Sequence, residues 1–177
     1  VLRSAQGFTG RANSVLPLGS PGQPIERALA EVVSWYEARG VTPRFQVPLP
    51  LCQDLDDELA ARGWTSFDPV RVLVADLDAV RMLTDRRDGV GPPRVSSRPD
   101  DAWLTAYHYR DQELPAVARE VMSGGADPLF VSLADGAGVV AVARGAVDEG
   151  WLGVTAVEVA AHARRLGLGR TLMHDLL

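Results

Sequence analysis

Two glycines at alternate positions, Gly167 and Gly169, follow the arginine pair Arg164 and Arg165 and precede a third arginine, Arg170. Glycine carries no side chain, so a ligand can come close to the backbone there. Where such a loop opens into a helix, the amides from about Leu166 to Arg170 turn into one concavity at the positive end of the helix dipole. The three arginines add formal positive charge around that concavity. The chemistry this predicts is the binding of an anion, and a pyrophosphate is the natural guest.

A strand and a helix must hold the loop in place. Residues 151–159 (WLGVTAVEV) predict a strand ending at Val159, and the stretch from Arg170 predicts a helix with Leu172, Met173 and Leu176 on its apolar face. Upstream, residues 129–134 and 139–147 predict two strands joined by the turn Asp135-Gly136-Ala137-Gly138. Helices are expected over 100–109 and 115–122, the second opening on Pro115.

The earlier part of the chain predicts a second set of elements. Ile25, Leu29, Val32, Val33 and Tyr36 recur at helical spacing up to the stop at Gly40, and a shorter helix over 55–62 ends at Gly63. Strands are expected over 44–49 and 70–77, the latter strongly alternating, and residues 8–18 suit a strand or extended loop. Residues 81–99, rich in glycine, proline, serine and arginine, predict a linker between residues 1–80 and 100–177. The fold class expected is α/β in the α+β sense, a mixed and mostly antiparallel central sheet flanked by helices.

Composition excludes several function classes. The net charge is −5 and the sequence pI near 5.2, which argues against nucleic acid as partner. No apolar run is long enough to span a bilayer, so no membrane association is expected. Lysine is absent, which removes a P-loop lysine and a Schiff-base lysine. The single cysteine, Cys52, forms no internal disulfide, and this favours a reducing, cytoplasmic setting. No metal site is read from the sequence. The chain opens on Val1 and stops at Leu177 inside a helical pattern, so both ends read as cut and the second repeat as incomplete.

With those elements placed, residues 100–177 resemble the GNAT superfamily of N-acetyltransferases. The family's pyrophosphate loop, Arg/Gln-x-x-Gly-x-Gly/Ala, is matched by Arg164-Arg165-Leu166-Gly167-Leu168-Gly169, and Val159 stands where the family ends its preceding strand. The proline that often follows that strand is replaced by Ala160 and Ala161. The resemblance implies acetyl-CoA as co-substrate. Its pyrophosphate would rest on the loop amides, and its pantetheine arm would pair with the backbone of Val157 and Val159. An acetyl group would pass by direct attack of a primary amine, on a small molecule or peptide, in a ternary complex. Residues 1–80 resemble a degenerate half of the same fold, as in tandem GNAT proteins. Residues 8–14 (FTGRANS) are similar to a stretch found in a group of bacterial members, some labelled amino-acid acetyltransferases.

Such an attack needs a group to take the ammonium proton. Glu158, between Val157 and Val159 but pointing to the opposite face, is the candidate base; a salt-bridged carboxylate is its alternative reading. His162 belongs on the phosphate side. His108, Tyr107 and Tyr109 lie where early helices shape the acceptor site, or else belong to the rim. The family's general acid, a tyrosine from a later helix, has no counterpart here. Two rivals remain: a non-catalytic acyl-CoA-binding or regulatory module, and a dinucleotide fingerprint, which would need a third glycine where Leu172 stands. A sheet lacking its last strands predicts exposed edges and hence homo-oligomers.

Overall fold

A computed structural model describes residues 1–109 and 112–177, which form two compact units, Val1–Val72 and Leu73–Leu177.

The first unit contains two α-helices. α1 (Ile25–Glu37) follows Pro24, whose missing N–H suits the position, and buries Leu29 and Tyr36. α2 (Gln53–Ala61) buries Leu59 and ends where Arg62 and Gly63 turn the chain. The Tyr36 hydroxyl donates to the Arg3 carbonyl at 2.8 Å, tying the N-terminal segment to α1. Asn13, in a single 3-10 turn (Arg11–Asn13), is 2% exposed. Its Oδ1 accepts from the amides of Ala5 (2.7 Å) and Gly7 (3.0 Å), and its Nδ2 donates to the carbonyls of Phe8 (2.7 Å) and Thr9 (2.8 Å). Asn13 therefore folds the 5–13 loop around itself. Asn13→Ala strands these groups and is expected to cost about 2–3 kcal/mol by urea titration. A loss below about 0.5 kcal/mol would sink this structural role.

Two strand expectations fail in this part of the chain. Residues 44–49 make only the isolated bridge Val15↔Phe45, and residues 70–76 form no strand despite their alternation. Val70, Val72, Leu73 and Val74 are exposed, at 73%, 81%, 88% and 70%. Alternation specifies two faces, but a strand also needs a neighbour to pair with, and none among the described residues lies alongside.

The second unit is built on an antiparallel sheet in the order β1-β2-β3-β4, flanked by helices. Its strands are β1 (Arg94–Ser96), β2 (Pro128–Asp135), β3 (Gly138–Asp148) and β4 (Trp151–Val159). β2 and β3 are apolar almost throughout because both faces are covered. α4 (Asp101–Ala106), capped by Asp100 accepting from Trp103 N–H at 2.8 Å, covers one face. Trp103 packs edge-on to Phe130 and donates from Nε1 to the Val131 carbonyl at 3.1 Å. The opposite face carries α6 (Leu168–Leu176), whose Leu168, Leu172 and Leu176 bury against Val131, Leu133, Ala141 and Ala143. The helix lies so close that a Cβ on Gly145 would stand 3.3 Å from a Leu176 methyl.

Residues 81–99, a linker by composition, contribute structure of their own. α3 (Leu77–Leu83) starts at Asp76, whose side chain caps it, and β1 pairs with β2. Arg86 then binds the buried carboxylate of Asp175 on α6 at 2.9 Å, with the Val90 carbonyl at 2.8 Å. The other Asp175 oxygen, Oδ2, is buried without a partner among the described residues. Arg86→Ala would leave that carboxylate uncompensated and is expected to cost about 1–3 kcal/mol by the same titration; an unchanged midpoint would show that the ion pair contributes nothing. α5 (Ala118–Ser123) completes the described helices, later and shorter than the expected 115–122.

Candidate functional site

β4 lies at the edge of the sheet, with β3 on one side. Two of its residues, Ala156 and Val157, stand opposite a single β3 residue, Ala143, and Ala156 takes a left-handed φ of 52°. This β-bulge shifts the alternation of the strand. Leu152 and Val154 before it and Val159 after it therefore all pack against the α6 core, whereas Glu158 turns to the other face. Beyond the strand, the Ala160 amide donates to the Val140 carbonyl at 2.8 Å. Antiparallel pairing alternates inward and outward groups, so the N–H and C=O of Val159 face the open edge. Arg164 Nε donates to that Val159 carbonyl at 3.0 Å.

A 3-10 turn (Ala161–Ala163) leads from β4 into the loop. Arg165 and Gly167 adopt left-handed φ values of 62° and 81°. Gly167 caps α6 with its carbonyl, which accepts from the amides of Arg170 (3.0 Å) and Thr171 (3.1 Å). Among the described residues, no protein acceptor takes the amide hydrogens of residues 165–169. A Cβ on Gly169 would stand 3.9 Å from Val159, an ordinary contact, so the fold itself leaves room there. Five consecutive free amides at the start of a nine-residue helix suit an anion, which would meet both the hydrogens and the positive end of the dipole.

The arginines around the loop differ from one another. Arg170 is paired with Asp85 at 2.8 Å, so its charge is already compensated, and Arg164 leans on the open strand edge. Arg87, which the sequence did not single out, donates to the Leu166 carbonyl, and its Cδ would be 3.9 Å from a Cβ at Gly167. Its main chain is fixed separately: the Arg87 amide donates to the fully buried Thr171 hydroxyl at 3.1 Å. Arg87 lies 79 positions before Leu166, and no local pattern connects the two. Leu168 is a core residue that offers only its amide, while Leu166 is half exposed. His162 lines a cleft of 370 Å³ with Val90, Asp135 and Leu166, beside the loop.

Glu158 is not a free carboxylate. Its Oε2 accepts from the His108 amide at 2.7 Å, and its Oε1 lies 3.2 Å from His108 Nδ1. Tyr107 stacks at a tilt on Trp103, 5.4 Å between centroids.

All of residues 1–177 match the family described as "Probable histone acetyltransferase Rv0428c C-terminal". The chain belongs to this family. The description of the Rv0428c C-terminal family names a probable histone acetyltransferase. The chain matches no curated protein and no solved structure. Among the described residues, no helix is long and apolar enough to cross a membrane.

Proposed function

We propose that this member of the Rv0428c C-terminal family is an N-acetyltransferase of the GNAT type. It would bind acetyl-CoA and transfer the acetyl group to a primary amine by direct attack in a ternary complex. The observation that carries the reading is the run of unpartnered amides at residues 165–169, set beside the outward backbone of Val159. The diphosphate would lie on those amides, with Arg165 and Arg87 offering charge. The pantetheine amides would take the edge of β4, after Arg164 gives up the Val159 carbonyl. An outward N–H on this edge would polarise the thioester carbonyl. Glu158, on β4 beside Val159, turns to the face opposite the α6 core and lies on the side where an acceptor would approach in this reading. The family's description names a probable histone acetyltransferase, which supports a histone amine as the acceptor to test first within the broader class of primary amines.

The direct test is release of coenzyme A thiol from acetyl-CoA in the presence of a lysine-bearing histone-tail peptide. Thiol release that requires the peptide, with acetyl appearing on it by mass spectrometry, is the expected result. Binding of acetyl-CoA with no transfer would favour a non-catalytic acyl-CoA module. Preferential binding of NAD would overturn the reading altogether.

A further inference from the structure

We propose that His108, held by Glu158, is the group that removes the proton from the acceptor amine; this rests on the transferase reading above. Glu158 is anchored on β4 immediately after the bulge, between the two valines of the open edge. Its side chain is 18% exposed, and both oxygens are engaged by His108, one by the backbone amide at 2.7 Å and one by the ring at 3.2 Å. The two contacts fix both the segment and the ring. An ionised carboxylate only accepts hydrogen bonds, so the neutral imidazole carries its hydrogen on Nδ1 and its lone pair on Nε2. The ring is 55% exposed, and Nε2 meets no hydrogen-bond partner among the described residues. The carboxylate is thus occupied and mostly covered, while the imidazole presents a basic nitrogen to solvent. A carboxylate orienting an imidazole for proton transfer has the same physical logic as the pair in serine hydrolases.

On the sheet face that carries Glu158, Arg144 of β3 is turned away toward α5, donating to the carbonyls of Met122 (2.6 Å) and Gly124 (2.7 Å). Tyr107 and Tyr109 flank His108 on its own segment.

In the step itself, an ammonium proton passes to His108 Nε2, and the freed amine forms a C–N bond to the thioester carbonyl carbon. The C–S bond then breaks, and the coenzyme A thiolate takes the second nitrogen-bound proton. The imidazolium returns its proton to water. Glu158 is a positioning residue: it selects the tautomer and balances the imidazolium.

The test uses acetyl-CoA and the histone-tail peptide with wild type, His108→Gln and Glu158→Gln, each checked for an unchanged thermal midpoint and an unchanged response to acetyl-CoA. His108→Gln should lower kcat about 10²–10⁴-fold and remove the acid limb of the pH–rate profile. Glu158→Gln should keep that limb with a smaller loss, and ¹⁵N shifts should show the His108 Nδ1–H tautomer in wild type but not in this variant. If His108→Gln retains rate and limb while Glu158→Gln abolishes them, Glu158 is the base and the proposal is overturned. It is equally overturned if wild type binds acetyl-CoA but releases no thiol, an outcome that leaves the binding reading standing. No response to acetyl-CoA at all would remove the loop reading and this one together.

Discussion

Acetyl-CoA at a hundred times its dissociation constant is expected to stabilise the second unit by about 2.7 kcal/mol, raising its thermal midpoint by roughly 5–15 °C. The same addition to Gly169→Trp should give no shift. The argument is steric and local. Gly169 sits at the second position of α6 beside the free amides of residues 165–169. The fold leaves room at this position, with Val159 at 3.9 Å from an added Cβ. A large side chain there would occupy the space above the amides. Gly167 is the poorer site for the experiment, because its φ of 81° makes any side chain a strain on the fold as well as a block to the ligand. A shift that survives in Gly169→Trp would move the acyl donor away from this loop.

The largest effect on stability is expected at Leu172. It is fully buried on α6 against Val131, Leu133, Ala141 and Ala143. Leu172→Ala should cost about 2–5 kcal/mol, read as a lower urea midpoint with an unchanged slope. A nine-residue helix does not stand alone in water, so α6 depends on this packing, and the loop amides depend on α6. The variant should therefore bind acetyl-CoA more weakly even at temperatures where it remains folded. A cost below about 1 kcal/mol would mean that the helix is held by something other than this contact, the Arg86–Asp175 pair being the first to examine.

The legible parts of this fold are the ones with a local cause. α1 and α6 announce themselves by helical spacing, β2 and β3 by a tight acidic-glycine turn between apolar runs, and the loop by its glycines and arginines. Residues 70–77 show the limit of the same reasoning. Their alternation describes what a strand would bury, but Asp76 caps a helix instead and the residues before it stay unpaired. Residues 81–99 err in the other direction: a linker composition conceals β1 and the arginines that clasp α6.

At the site, the sequence by itself determined the backbone chemistry. Gly167 and Gly169, a helix start and a strand ending at Val159 follow from residue types a few positions apart, because backbone conformation and dipoles are properties of short segments. Only the tertiary structure decided which side chains stand beside it. It brings Arg87 onto the Leu166 carbonyl, cancels Arg170 with Asp85 and sets His108 against Glu158, contacts spanning 79, 85 and 50 positions. Such pairings are governed by sheet register, a bulge at Ala156 and the seating of α6 on its apolar face. None of these is encoded within a window short enough to read, because each depends on which distant surfaces exclude water together.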